Sequence, residues 1–186
     1  MSTPCRVPGT LALLTFALAA GATTLEERTT CEMVGRAERI ACAACETVEA
    51  RSDPRSGAVF THVTLRLLED WKGGGAGGVF RLRIVGGRDG PIATVVSLMP
   101  EFRPGEEYVL FLGKRNDLGF ETLEFARRGV LRLESDEAGV RRLRDRVSGF
   151  PEFGGATRIR LEDVRTAIRG EVARLERERA APRPGR

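Results

Sequence analysis

The clearest pattern in the chain is an alternation of apolar and polar positions with a period of two. It runs through residues 59–67, whose odd-numbered positions are Val, Thr, Val, Leu and Leu, and this period is typical of a β-strand. Small and β-tolerant residues at 40–48 come before it, and turn-forming residues occupy 52–57. The two runs predict a long β-hairpin, which in its most compact form pairs Ala50 with Ala58.

Shorter apolar or alternating runs follow this hairpin. They predict strands near residues 80–85, 92–98, 108–112, 120–125 and 130–133, with glycine and proline at the turns between them. The run at 108–112 is apolar at every position, as in a strand that is buried on both faces. Several short strands separated by turns predict an antiparallel barrel or sandwich rather than a βαβ fold.

Helical signals lie on both sides of the predicted strands. Thr29 and Glu32 have the spacing of a capping box, which predicts a short helix over residues 30–37. Residues 138–147 favour a second helix. Between 161 and 175, apolar residues recur every three or four positions, so we expect them to form one stripe of an amphipathic helix.

The first 22 residues have the three parts of a secretory signal peptide in the required order. Arg6 provides the positive charge, residues 11–18 are apolar, and small residues end at Ala22 in a cleavage pattern. The apolar run is about half of the roughly 20 residues that a membrane span needs. We therefore expect a mature chain that begins at Thr23, is periplasmic or secreted, and has no transmembrane segment.

Charge adds one observation to this picture. The chain has a formal net charge of +4, and its basic surplus is concentrated after residue 140. A basic segment of an exported protein can contact an anionic partner. A solvated face of the predicted C-terminal helix is the simpler interpretation.

Residues 102–112, with the sequence FRPGEEYVLFL, carry a resemblance to known proteins. Together with the AERI sequence at 37–40, the WKG sequence at 71–73 and the paired glycines at 86–87, they make the chain similar to a set of uncharacterised exported bacterial proteins. Their barrel is similar to the OB-like fold of netrin-type modules and tissue inhibitors of metalloproteinases. The resemblance covers roughly residues 30–134 and implies the fold more than the function.

This resemblance implies a mainly β chain. We expect an OB-like, netrin-module-like antiparallel β-barrel with a short N-terminal helix and a C-terminal amphipathic helix. The inhibitors chelate a protease zinc through an N-terminal cysteine, whereas this mature chain would begin at Thr23 with Cys31 inside a helix, so that mechanism is not implied. The expected parts are a signal peptide (1–22), an N-terminal segment with the short helix (23–37), the barrel (38–134), a C-terminal helical extension (135–179) and a disordered tail (180–186).

The cysteines are the first candidates for chemistry. Cys31, Cys42, Cys45 and His62 are the only Cys and His residues after residue 22. The Cys-x-x-Cys spacing of Cys42 and Cys45 is that of redox motifs, and four such residues are enough ligands for zinc. However, the pair lies in a predicted strand without a βαβ context, which disfavours redox chemistry. Two residues three apart on a strand point to opposite faces, which disfavours a zinc site. In an oxidising compartment we expect instead a disulfide from Cys31 to Cys45 or Cys42.

Other motifs for catalysis or phosphate binding are missing from the sequence. No serine lies in a G-x-S-x-G sequence. The glycine-rich residues 85–90 do not follow a strand-to-helix crossover, so they do not predict a phosphate site. OB barrels often bind single-stranded nucleic acid, but the aromatic residues here fall mostly at core positions and the chain is expected to be exported.

We therefore expect an exported, non-catalytic binding or accessory module with no cofactor. Its expected partner is a protein or a component of the cell envelope rather than nucleic acid. Two alternatives stay open: a thiol/disulfide redox protein that uses Cys42 and Cys45, and a protease inhibitor that acts through the glycine-rich loop at residues 73–78.

Overall fold

The computed structural model describes residues 29–74, 77–144, 153, 156 and 158–181. The expected signal peptide (1–22) and most of the expected tail (182–186) lie outside the described residues. Within the described part the chain is mainly β, as the sequence predicts, and every strand ladder is antiparallel.

Two long strands and six shorter ones form the described sheets. They are β1 (Arg39–Ser52), β2 (Val59–Lys72), β3 (Val79–Val85), β4 (Gly87–Asp89), β5 (Ile92–Thr94), β6 (Glu107–Leu112), β7 (Val130–Ser135) and β8 (Arg141–Leu143). Six of them form one sheet in the order β3-β2-β1-β6-β7-β8, while β4 and β5 form a small separate hairpin. The helices are α1 (Thr30–Arg36) and α2 (Leu161–Ala180), and a 3-10 turn covers Ala126–Gly129.

The predicted long hairpin is confirmed, but its predicted register is wrong. Ala50 pairs with Thr61 rather than with Ala58. Both strands continue beyond this pair to a loop at residues 53–58, where the carboxylate of Asp53 accepts backbone N–H bonds from the residues that follow it. Such side-chain bonds hold a loop at the turn, so Ser52 pairs with Val59 and β2 begins later than in the most compact hairpin.

The predicted capping box of α1 is confirmed. The Thr29 hydroxyl accepts a bond from the Glu32 backbone at 3.3 Å, and the Glu32 carboxylate accepts one from the Thr29 backbone at 3.1 Å. At the other end, the Lys72 ammonium donates to the carbonyl oxygen of Val34 at 2.6 Å and to that of Ala37. Both ends of this short helix are thus satisfied by side chains, as isolated helix ends require.

The amphipathic stripe of α2 is also confirmed. Leu161, Val164 and Ile168 are buried, and Val172 and Leu175 pack against the same cluster. Gly170 lies inside the helix on an exposed position and does not end it.

The predicted helix over residues 138–147 is wrong for residues 138–144, which are the part of that range that the structure describes. Instead, the carboxylate of Asp136 accepts backbone bonds from Ala138 at 3.1 Å and Val140 at 2.9 Å, which forms a turn. The chain then returns as β8 beside β7. This local side-chain bonding competes with helix formation. Residues 145–147 lie outside the described residues.

Two other predicted strands are mostly absent. Of residues 92–98, only Ile92–Thr94 is a strand. Residues 120–125 contribute single bridges, one from Glu121 to Leu82 of β3 and one from Leu123 to Leu112 of β6. This segment therefore links two strands that lie apart in the sheet, but the sheet formed by the described residues is not closed into a barrel.

Two hydrophobic clusters occupy opposite faces of the main sheet. Successive residues of β6 alternate between them, which places the clusters on different sides of that strand. The helix-side cluster includes Met33, Val34, Ile40, Trp71, Val109, Phe111, Leu161, Val164 and Ile168. The sheet-side cluster includes Val63, Leu65, Phe80, Leu82, Ile84, Phe102, Tyr108, Leu110 and Leu112.

Candidate functional site

Cys42 and Cys45 are held apart by the sheet. Cys42 belongs to the helix-side cluster and Cys45 to the sheet-side cluster, as the parity of the strand predicts. Burial, followed by the nearby carboxylate of Glu107, raises the pKa of Cys42 to about 12. Burial together with the Glu106 carboxylate raises that of Cys45 to about 11. Both groups are therefore protonated at neutral pH, whereas a redox nucleophile needs a thiolate.

Cys31, Cys42 and Cys45 are all free thiols in the structure, so the expected disulfide from Cys31 to either partner is not formed. Cys31 is exposed on α1, and its sulfur accepts a hydrogen bond from Arg174 of α2 at 3.0 Å. A hydrogen bond with Glu171 raises the pKa of the Cys31 thiol. This cysteine therefore lies at the contact between the two helices.

His62 does not join the cysteines. It lies on β2 with its ring edge against Phe120, at 5.4 Å between ring centroids. Desolvation, together with the guanidinium of Arg83, lowers the pKa of His62. Across the residues that the structure describes, no three Cys, His, Asp or Glu side chains come together in a group suited to hold a metal ion. No described helix is long and apolar enough to cross a membrane.

The most unusual surface feature is a stretch of exposed apolar side chains at residues 92–98, called here the apolar segment. Val95 is 92% exposed, Leu98 58% and Ile92 45%. The chain leaves its strand pairing after Thr94, so the side chains that follow have no sheet neighbour to cover them. Contiguous apolar exposure of this kind marks interaction surfaces in soluble proteins.

The hairpin of β4 and β5 fixes the start of this segment on the long hairpin. The hydroxyl oxygen of Thr94 accepts a bond from the Val59 backbone at 2.9 Å. The Asp89 carboxylate accepts bonds from the backbone and hydroxyl of Ser52 at 2.8 and 2.7 Å. Gly87 has a φ of 129° and packs so closely against β1 and β2 that a side chain would not fit. The apolar segment is thus anchored at its base.

A small cleft opens directly after the apolar segment. Its volume is about 210 Å³. One wall comes from residues 99–101, and the other comes from the 3-10 turn and β7. The residues that line it are Met99, Pro100, Glu101, Tyr108, Arg127, Val130 and Arg132.

The polar groups at the base of the cleft bond mainly to one another. The Tyr108 hydroxyl accepts a bond from the Arg103 backbone at 2.9 Å and donates one to Glu106 at 2.8 Å, and Arg132 donates to the other oxygen of Glu106. Desolvation opposes the ionisation of Glu106, but the bonds from Tyr108 and Arg132 outweigh it and lower its pKa. Burial and the bond to Glu106 raise the pKa of Tyr108. At neutral pH Glu106 is therefore ionised and neutralises Arg132.

The backbone on both sides of the cleft adopts left-handed conformations at residues that are not glycine. Leu98 has a φ of 65°, Phe125 of 63° and Ala126 of 47°. The Arg127 N–H donates to the carbonyl oxygen of Leu98 at 3.0 Å and ties the two walls together. Each such conformation costs roughly 1–3 kcal/mol and persists where the surroundings enforce it, often at functional sites.

Arg127 is the cation of the cleft that is available to a ligand. Its side chain is exposed, and it forms no ion pair with the carboxylates of the described part of the chain. Arg132, in contrast, is paired with Glu106. The cleft therefore presents one guanidinium group with open hydrogen-bond donors beside an exposed apolar surface.

Comparison with models of known protein families and with curated proteins found no match to this chain. The site is defined by its own geometry: an exposed apolar segment, a small cleft and one unpaired arginine. These features suit the binding of a partner.

Sequence reasoning missed this site. The pattern at 92–98 predicts a strand, although its lack of strict alternation at Val95 and Val96 is a signal that the strand ends early. The sequence Arg127-Arg128-Gly129 indicates only a break between strands. Nothing local shows that residues 99–101 meet residues 127–132, because that contact depends on the tertiary fold.

Proposed function

We propose that this chain is an exported, non-catalytic binding module, and that it binds a partner protein through the apolar segment and the adjoining cleft. The observation that carries the proposal is the exposure of Val95 and Leu98 beside a cleft with strained walls. Burying such side chains against a partner removes apolar surface from water, at roughly 25 cal/mol per Å².

The proposed architecture is an OB-like, netrin-module-like domain. The strand bridges of Glu121 to β3 and of Leu123 to β6 support it, because they bring separated strands of the sheet towards each other. The sequence motifs at residues 37–40, 71–73, 86–87 and 102–112, on which the expected resemblance to netrin-type modules rests, agree with it. Export is supported by the signal-peptide pattern of residues 1–22.

The two alternative functions have less support. Redox chemistry at Cys42 and Cys45 is opposed by their placement on opposite faces and by their raised pKa values. Protease inhibition through residues 73–78 has no described contact in its favour, and residues 75–76 lie outside the described residues.

A photo-cross-linking experiment tests the proposal. A photoreactive amino acid replaces Val95 in one sample and Leu118 in another, because Leu118 is 67% exposed and lies outside the segment. We expect a discrete cross-linked partner from envelope extract only with the probe at position 95, and we expect Leu98→Asp to abolish it. Identical products from both positions, or no effect of Leu98→Asp, would contradict the proposal.

A further inference from the structure

We propose that the cleft binds a carboxylate side chain of the partner protein, that Arg127 is the residue that contacts it, and that the apolar segment covers apolar residues next to this carboxylate. This inference rests on the proposed binding function and specifies its chemistry. It assigns an acidic side chain with apolar neighbours to a cleft whose charge and size favour that occupant.

The charge in and around the cleft favours an anionic side chain. Arg127, Arg132 and Glu101 line the cleft, and Arg103 and Glu106 lie beside it, which leaves one net positive charge. Because Glu106 is ionised and bonded to Arg132, that pair contributes little net charge. Arg127 forms no ion pair with the described carboxylates, and guanidinium groups match carboxylates with two parallel hydrogen bonds.

The size of the cleft favours a single side chain as the occupant. A cleft of about 210 Å³ is smaller than the roughly 300–1,000 Å³ that is usual for small-molecule and cofactor sites. It has room for a single side chain that enters from a partner surface. The Tyr108 hydroxyl already makes two hydrogen bonds inside the protein, so its proton is not available to a ligand.

The backbone on both sides of the cleft is held in place before a partner binds. Leu98 and Ala126 hold left-handed conformations on opposite walls, and the bond from Arg127 N–H to the Leu98 carbonyl joins these walls. The backbone that carries the guanidinium is therefore fixed before any partner arrives. A site that is ordered in advance loses less entropy on binding. The same bond places the apolar segment beside Arg127, so one partner segment can contact both.

An array of ten-residue peptides tests the inference with the mature protein. Each peptide carries one central Glu between apolar residues, and its matched copies carry Gln or Lys at that position. We expect Glu peptides to bind roughly tenfold or more tightly than their Gln copies, since a charge-assisted bond is worth about that factor. We expect Arg127→Gln to remove this preference. Arg55→Gln, at an exposed arginine in the loop at 53–58, is the matched control and leaves the preference unchanged.

The outcomes separate this inference from the proposed function. If Val95→Asp abolishes peptide binding while Arg127→Gln leaves the Glu preference intact, the binding surface stands and the carboxylate inference is overturned. If neither substitution changes binding, both are overturned. Binding to vesicles of anionic phospholipid that is lost in Val95→Asp, with no peptide selected, would also overturn the inference in favour of a membrane surface. Unchanged unfolding temperatures of the variants show that each one is folded.

Discussion

Gly129 and Gly170 differ in the space that is available for a side chain. A Cβ atom at Gly129 would lie 1.9 Å from the carbonyl oxygen of Glu124, which is backbone and cannot rotate away. A Cβ atom at Gly170 would meet nothing within 4 Å. Gly129 ends the 3-10 turn that forms one wall of the cleft, so the close approach of its backbone is part of the shape of the site.

We expect Gly129→Ala to destabilise the protein by about 1–3 kcal/mol, because the added methyl group forces the turn away from Glu124. Thermal unfolding measures this effect. Gly170→Ala is the control on an exposed helical position, and we expect it to stabilise the protein by about 0.5–1 kcal/mol through reduced backbone entropy of the unfolded chain. Equal effects of the two substitutions would show that the close contact at Gly129 does not form.

Only one of these two glycine effects can be predicted from the sequence. The cost of Gly170 within a helix follows from the helical pattern around it. The requirement for glycine at position 129 does not, because it arises from the path of the backbone at Glu124. The same holds for Arg127, whose role depends on residues nearly thirty positions earlier in the chain.

The contact between α1 and α2 includes a cluster of polar groups. Arg174 bonds to Glu171 within α2 and to the sulfur of Cys31 on α1. The bonds from Arg174 lower the pKa of Glu171 from 4.5 to about 2. Desolvation opposes this shift, and the bond from Cys31 adds to it. An ionised Glu171 therefore stabilises the position of α2 against α1.

The pH dependence of stability tests this contact. Because the folded pKa of Glu171 lies below the unfolded value, its contribution is present above about pH 4.5 and is lost as the pH falls towards 2. We expect Glu171→Gln to lower the unfolding temperature at pH 6, and we expect its difference from the wild type to shrink between pH 4.5 and 2. Glu176→Gln, on an exposed position of α2, is the control and should leave this pH profile unchanged. A constant difference at every pH would contradict the prediction.

The elements that the sequence predicted well are those specified by local patterns. The alternation at 59–67 is enough for β2, and the capping box with the apolar stripe is enough for α1 and α2. In contrast, β8 is short and forms because β7 lies beside it. The segment at 120–125 has a strand-like composition, but its partners come from two different strands, and it makes only single bridges to them.

The two hydrophobic clusters share the strands that lie between them. Along β6, Val109 and Phe111 face the helices, whereas Leu110 and Leu112 face the other side. β1 contributes to both clusters in the same way. Loss of packing on one side therefore disturbs strands that the other side needs, and we expect the described core to unfold as one cooperative unit.

The chain carries one intrinsic probe for each cluster, which makes this expectation measurable. Trp71, the sole tryptophan, is 5% exposed in the helix-side cluster, and Tyr108, the sole tyrosine, is 1% exposed in the sheet-side cluster. Tryptophan fluorescence and the tyrosine signal in near-ultraviolet circular dichroism should give the same unfolding midpoint in urea.

Leu82→Ala and Ile168→Ala each create a cavity in one cluster, and each should destabilise the protein by about 2–5 kcal/mol. Both probes should shift together in both variants. If Leu82→Ala moved only the tyrosine transition, or Ile168→Ala only the tryptophan transition, the two faces would be independent units, and the strands they share would not couple them.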